Sequence, residues 1–231
     1  MKVHPESQIE KLSPDAKRDA RNSFGRFVER PQPHAIDVTW HSSVVCANER
    51  ADLLQQHPAT IWLTGLSGAG KSTIAYTLEK LLLDRGHCGF VVDGDNLRHH
   101  LNSDLGFSPE DRRENIRRAA EVAHLLNEAG LIVITAFISP LIADRMMAAD
   151  IIGPHRFVEV YVNTSTEVCE RRDTKGLYAK ARKGEILEFT GISAPYEMPQ
   201  NPRIEIKTEL QTVDEIAEIL YQYLVAHHFT C

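Results

Sequence analysis

The run Gly65-Leu66-Ser67-Gly68-Ala69-Gly70-Lys71-Ser72-Thr73 sets a lysine and two hydroxyls directly behind a glycine-rich turn. Its spacing satisfies G-x-x-x-x-G-K-[ST] from Gly65 to Ser72. Glycine lets successive backbone N–H groups point inward, which makes a concave anion site. A helix starting there would add the positive end of its dipole. Lys71 would reach the β- and γ-phosphates, and the Ser72 hydroxyl would ligate Mg²⁺. The expected ligand of this loop is a nucleoside triphosphate.

A second group follows at Asp93-Gly94-Asp95-Asn96. On an extended chain residues two apart point to one side, and Gly94 would leave room for a ligand between two carboxylates. Of Asp93 and Asp95, one would hold Mg²⁺ through water and the other would take a proton from an attacking hydroxyl, with Asp95 favoured as the base and Asp93 as the metal holder. The competing reading is a turn of the kind that Asp-Gly favours. Arginines come next: Arg98, Arg112, Arg113, Arg117 and Arg118. Arg112 and Asn115 fall one helical turn apart and face the same way. Planar guanidinium forks suit phosphate or sulfate oxygens, so Arg98 and Arg112 are expected to bind an anion. Arg117 and Arg118, deeper in that helix, fit a solvated face or local salt bridges better. Phe107 and Phe189 sit in glycine-flanked polar loops, where they could pack inward or sandwich a planar base. His99-His100 and His227-His228 lack a third ligand at metal spacing and are not read as a metal site.

These residues need a frame that brings them to one edge. Ala59 to Leu63 is a short apolar run before the glycine loop, and Ile74 to Leu83 reads as the helix after it, stopped by Arg85-Gly86. Gly89 to Val92, Leu131 to Phe137, Phe157 to Val162 and Ile204 to Ile206 read as further strands, the first expected to be buried on both faces. Ser108-Pro109-Glu110-Asp111 is a helix start, with serine at the cap and proline in the first turn. That helix would bury Ile116, Ala119, Ala120, Ala123 and Leu126 and stop at Gly130. Val213 to Val225 would close the domain. Alternating strands and helices give an α/β class: a P-loop NTPase fold with a parallel β-sheet flanked by helices on both faces. Ligands of such sheets sit beyond the carboxyl ends of the strands, where the loop and the carboxylates both fall. From about 174 to 202 the period breaks down among glycines, prolines, Lys175, Lys180, Arg182 and Lys183, which reads as a lid.

The 231 residues fit one domain with an arm,. Residues 1–37 are polar and punctuated by Pro5, Pro14, Pro31 and Pro33. They read as a flexible extension or a dimer arm, with a short helix over Asp15–Val28, and residues 38–231 as the P-loop domain. A net charge of −6 argues against nucleic acid as a partner,. No apolar run reaches 18 residues, so no membrane span is expected. Cys46, Cys88, Cys169 and Cys231 are far apart, without C-x-x-C spacing, which fits free thiols in a cytoplasmic enzyme.

The motifs also carry a resemblance. Gly65 to Thr73, Asp93-Gly94-Asp95-Asn96-Leu97-Arg98-His99, Asp104-Leu105-Gly106-Phe107-Ser108, Glu114-Asn115-Ile116-Arg117-Arg118, Phe137-Ile138-Ser139-Pro140, Lys175-Gly176-Leu177-Tyr178 and Phe189-Thr190-Gly191-Ile192 occur in that order. From about Trp40 onward the chain resembles the adenylylsulfate kinase (APS kinase) family. The resemblance implies transfer of the γ-phosphoryl group of ATP to the 3′-hydroxyl of adenosine 5′-phosphosulfate (APS). It also implies that Arg98, Arg112 and Asn115 bind APS, Phe107 and Phe189 sandwich its adenine, and Ile138 lines the pocket. Lys175 and Leu177 would contact APS from the lid, and Ser139 matches a serine described elsewhere in the family as a phosphoserine intermediate. A homodimer and a separate ATP sulfurylase partner are the implied associations. The chain departs from the family pattern at Leu141 and Ile142, where a charge is missing, and at His100, Thr174 and Ala179. Two rival readings are another small-molecule P-loop kinase and a catalytically weak nucleotide-binding regulator.

Overall fold

A computed structural model describes residues 37–39 and 41–230; the helix expected over Asp15–Val28 lies outside them. Ser43–Cys231 is one compact unit. Its elements are α1 (Ala47–Leu54), β1 (Thr60–Thr64), α2 (Lys71–Asp84), β2 (Gly89–Asp93), α3 (Gly94–His99), α4 (Pro109–Glu128), β3 (Ile132–Ala136), α5 (Ile142–Ile152), β4 (Phe157–Val162), α6 (Thr166–Arg172), α7 (Leu177–Arg182), β5 (Ile204–Ile206) and α8 (Val213–Ala226).

The five strands form one parallel sheet in the order β2-β3-β1-β4-β5. Every residue of β1 and β3 is buried because helices cover both faces,. Strand alternation then splits the apolar side chains between two cores. Ile61, Leu63, Ile132 and Ile134 meet Ile74, Leu78 and Leu82 of α2 and Ile216, Leu220 and Leu224 of α8. Trp62 and Val133 point the other way, toward Ile116, Ala119, Ala120 and Ala123 of α4 and Ala148 and Ile152 of α5. Trp62 stacks on Phe137 at 5.4 Å between ring centroids. The Ser108 side chain caps α4 by accepting from Asp111 N, with Pro109 in the first turn.

β2 departs from expectation. It is an edge strand, and Phe90 is 51% exposed while Val91 and Val92 are buried. The Glu79 carboxylate of α2 accepts from Val91 N at 2.8 Å. That bond occupies one of the main-chain donors that an open edge would otherwise offer.

The segment 174–202 is also more ordered than a loose lid. It contains α7, whose first turn is held by Asp173 accepting from Tyr178 N and Ala179 N. Tyr178 is buried and donates its hydroxyl to the Ser67 carbonyl at 3.0 Å. Further on, the Tyr196 hydroxyl and Thr64 Oγ1 are 2.9 Å apart. Arg145 reaches the Glu197 carbonyl at 2.8 Å, joining this segment to α5. Six residues with only Tyr178 and Ala181 turned inward are too few to show a helical period,.

Candidate active site

The loop between β1 and α2 is shaped by what lies under it. Gly65 has φ 154°, and a Cβ there would lie 2.6 Å from the Val162 carbonyl oxygen of β4. A Cβ on Gly68 would lie 3.0 Å from the Cys169 carbonyl. The loop is therefore pressed onto β4 and α6, with Ala69 fully buried beneath it. Leu66, Ser67 and Gly70 stay partly accessible, and Ser72 and Thr73 are exposed on the first turn of α2. Arg172, at the end of α6, donates to the Gly68 and Ala69 carbonyls at 3.4 and 3.3 Å and to Thr208 Oγ1 at 3.1 Å. The motif spacing did not single out this residue; its one sequence signal is a basic last turn.

Lys71 is 8% exposed, and its ammonium donates to the Gly65 and Leu66 carbonyls at 3.0 and 2.7 Å. Burial pulls its pKa down from 10.5 to about 8, against the opposing influence of Cys169, Asp95 and Asp93. These two carbonyls engage two of its three N–H groups and leave one for a further acceptor,.

Ser72 donates its hydroxyl to Asp93 Oδ2 at 2.6 Å. The other Asp93 oxygen accepts from Asp95 N at 2.9 Å and Asn96 N at 3.3 Å. Asp93 is thus the N-cap of α3, and Asp95 sits inside that helix. The extended Asp-x-Asp arrangement expected from the sequence is not formed. Gly94 does not make room for a ligand either: a Cβ there would meet Phe137 Cδ1 at 2.9 Å and the Ala136 carbonyl at 3.3 Å. Its missing side chain lets α3 rest on the end of β3. Asp93 is buried, whereas the Asp95 side chain is 64% exposed and paired with Lys175. The two carboxylates therefore differ in kind, one buried and bonded to Ser72 and the start of α3, the other exposed and paired with a lysine.

On the far side of α3, Arg98 and Arg112 enclose the 105–107 turn. Arg98 donates to the Leu105 and Gly106 carbonyls at 3.1 and 2.7 Å and lies over the Phe107 ring, 4.3 Å from its centroid. Arg112 donates to the Phe107 carbonyl at 2.8 Å, to Thr190 Oγ1 at 3.1 Å and to the Glu188 carbonyl at 2.6 Å. One guanidinium therefore ties together the two loops that carry Phe107 and Phe189. Burial and the nearby Arg112 charge both lower the Arg98 pKa, opposed by Asp95 and Asp111. Two mutually repelling cations held by neutral carbonyls make a place that favours an anion. Arg117 and Arg118 are taken up by Glu114 and Asp104, as expected of a salt-bridged face.

The two phenylalanines are not alike. Phe107 is 67% exposed and available for stacking. Phe189 is 7% exposed and meets Tyr178 edge-on at 4.9 Å, at the margin of the core. Leu177 opens α7 and packs partly on the same core. Ile138 is half-buried, with its carbonyl accepting from Thr64 Oγ1 at 2.8 Å.

Ser139 lies in the interior. It is 2% exposed, has φ 38°, and its hydroxyl accepts from Trp62 Nε1 at 3.2 Å. Its carbonyl accepts from Arg145 at 2.7 Å. This hydroxyl satisfies a buried indole N–H. Ser139→Ala is expected to keep kcat within about threefold while losing about 1–3 kcal/mol of stability, the cost of an unpartnered buried donor. Steady-state kinetics and a thermal melt check this, and loss of turnover in a fully folded variant would restore a chemical role for Ser139.

Arg145 occupies the interior next to this turn, 3% exposed, with Glu159 accepting from its Nε at 2.8 Å. It brings a cation close to the loop that lacks one at Leu141 and Ile142, and each of its three nitrogens donates, to Glu159, Ser139 and Glu197. Among the described residues no group of three or more His, Cys, Asp or Glu side chains could hold a metal by itself. No helix there is long and apolar enough to cross a membrane.

Comparison with known proteins bears on the whole of this arrangement. Residues 57–207 match the family model of adenylylsulphate kinase. An adenylyl-sulfate kinase of Vibrio vulnificus (strain YJ016) is 54% identical over 188 residues, covering 81% of this chain and 91% of its own. One of Staphylococcus carnosus (strain TM300) is 53% identical over 188 residues, covering 81% and 94%. The solved structure of the Mycobacterium tuberculosis APS kinase CysC in complex with AMPPNP and APS is 47% identical, covers 74% of this chain and 99% of its own, and superposes with a TM-score of 0.71. The family match takes in all five strands and both halves of the site, and on that evidence the chain belongs to the adenylylsulfate kinase family.

Proposed function

We propose the following division of labour for the reaction of this family, the ATP-dependent phosphorylation of the 3′-hydroxyl of APS. The observation that carries it is the bond from Ser72 to Asp93. Ser72 belongs to the triphosphate loop, and Asp93 caps the helix that bears Asp95 and Arg98. One hydrogen bond thus joins the donor half of the site to its acceptor half. The loop 65–73 would hold the triphosphate of ATP, with Lys71 released from the Gly65 and Leu66 carbonyls onto the β- and γ-phosphates. Ser72 and Asp93 supply two hard oxygen donors, a set that fits Mg²⁺, which takes few protein ligands and keeps waters and phosphate oxygens for the rest. Bound there, Mg²⁺ would neutralise charge on the transferring group.

Arg98, Arg112 and Asn115 would hold the anionic part of APS, and Phe107 would stack on its adenine. Phe189 would close the other face of the base from its anchored position against Tyr178, with Ile138 and Leu177 along the wall. Asp95 would take the 3′-hydroxyl proton, since its carboxylate is the exposed one of the two. Lys175, paired with Asp95 in the free protein, would turn toward the nucleotides as they bind. Phosphoryl transfer is mostly positioning and charge neutralisation, and this constellation supplies both. Incubation with ATP and Mg²⁺ is expected to give a 3′-phosphorylated product from APS and none from gluconate, shikimate or AMP. Binding of both nucleotides without product would favour the regulator reading instead.

A further inference from the structure

Asn102 is a fully buried polar residue whose hydrogen bonding is incomplete. It is 0% exposed, in the 101–104 turn between α3 and α4, and its backbone N–H donates to the Leu97 carbonyl at 2.9 Å. Its side-chain nitrogen donates to Asn115 Oδ1 at 2.9 Å. Its own Oδ1 is buried with no hydrogen-bond partner. A leucine would fill such a position at less desolvation cost, so the amide calls for a reason beyond packing.

The reason lies in the direction of the Asn115 amide. With Oδ1 committed to Asn102, Asn115 keeps its two N–H donors for whatever lies in the site. The opposite arrangement turns both amides over. Asn115 would then present an oxygen, and Asn102 would bury an unpartnered NH₂ in place of an unpartnered oxygen. An NH₂ strands two donors, whereas an under-satisfied carbonyl is the more tolerated of the two defects. The observed direction is the cheaper one, and it suits an anion, which offers acceptors only.

We infer that Asn102 is a positioning residue that locks the Asn115 amide with its nitrogen toward the anionic acceptor, so that the acceptor site selects a fully ionised group there. This rests on the proposed role of Asn115 in binding APS. Asn102 itself touches neither nucleotide and acts only through Asn115.

The test is a double-mutant cycle with KM for APS and KM for ATP measured separately. Asn102→Leu is expected to raise KM for APS about tenfold, the scale of one lost hydrogen bond to a charged group, with KM for ATP unchanged. Asn102→Asp should raise it further, because a carboxylate accepts from Asn115 and turns the Asn115 oxygen toward the anion. In an Asn115→Ala background Asn102→Leu should add nothing. Asn102→Ser, smaller and still able to donate, serves if the leucine variant fails to fold, and its effect must vanish in the same background. Additive effects, or a wild-type KM for APS in a folded Asn102→Leu protein, would overturn the inference. If Asn115→Ala alone leaves KM for APS unchanged, the assignment of Asn115 to the acceptor site fails instead, and the two failures are told apart.

Discussion

Replacing Lys71 with alanine is expected to lower kcat/KM by about 10³-fold or more while leaving the protein folded. A preorganised charge aimed at a transferring phosphoryl group is worth at least as much as one oxyanion donor, whose removal costs about 10²–10³ in rate. The fold should not suffer. Lys71 is 8% exposed and its pKa is pulled down to about 8, so its charge is unfavourably placed in the free protein. The variant should therefore melt at the wild-type temperature or above it. The same shift sets a pH dependence. In the wild-type free protein the ammonium loses its proton as pH passes about 8. Nucleotide affinity should be flat below that pH and fall above it by up to about tenfold per unit. Calorimetric titrations with a non-hydrolysable ATP analogue between pH 7 and 9.5 check the slope, which should disappear in Lys71→Ala. Folding stability moves in the opposite sense. The unfolded chain holds this proton up to 10.5, so the Lys71 contribution to stability rises with pH between about 8 and 10.5,. A pH-independent affinity in the wild type would mean that Lys71 keeps its proton throughout that range.

Asp95→Asn is expected to reduce kcat by about 10²–10⁴-fold, the range associated with a positioned general base, with both KM values within about threefold. Its side chain is 64% exposed and its partner Lys175 is 58% exposed. A pair this open adds little to stability, so the thermal midpoint should barely move. Asp93→Asn makes the contrast. Asp93 is buried, accepts from two backbone N–H groups of α3, and receives the Ser72 hydroxyl. That variant should lose both stability and ATP-dependent activity. If Asp95→Asn kept most of the wild-type kcat, the proton would have to leave by another route, and the split between the two carboxylates would be wrong.

Much of the frame is written in contiguous residues. The glycine spacing from Gly65 to Ser72, the serine-proline cap of α4 and the strands Phe157–Val162 and Ile204–Ile206 are all where the pattern places them. Each depends on local backbone conformation or on a period of two or 3.6, which a few neighbouring side chains decide. The family motifs are local in the same sense, which is why the chain could be assigned before any contact was known. Sheet order is not local. The exposure of Phe90 follows from β2 lying at an edge, and an apolar run of four residues carries no sign of that.

Contacts between distant segments also decided the chemistry of individual residues. Gly94 is a glycine because Phe137, far along the chain, lies against it. Ser139 faces the interior because Trp62 needs an acceptor there, and Phe189 leans on Tyr178 rather than standing free. Arg112 joins the Phe107 loop to Glu188 and Thr190, which lie 76 and 78 residues further along the chain from it. Asn102 gains its meaning only when the turn before α4 folds it against Asn115. The sequence by itself determined the triphosphate loop, the α/β frame and the family. The tertiary structure alone decided which carboxylate is exposed, which hydroxyl is buried and which way an amide points. Those outcomes are set by packing and desolvation among residues remote in the chain, where no spacing rule reaches.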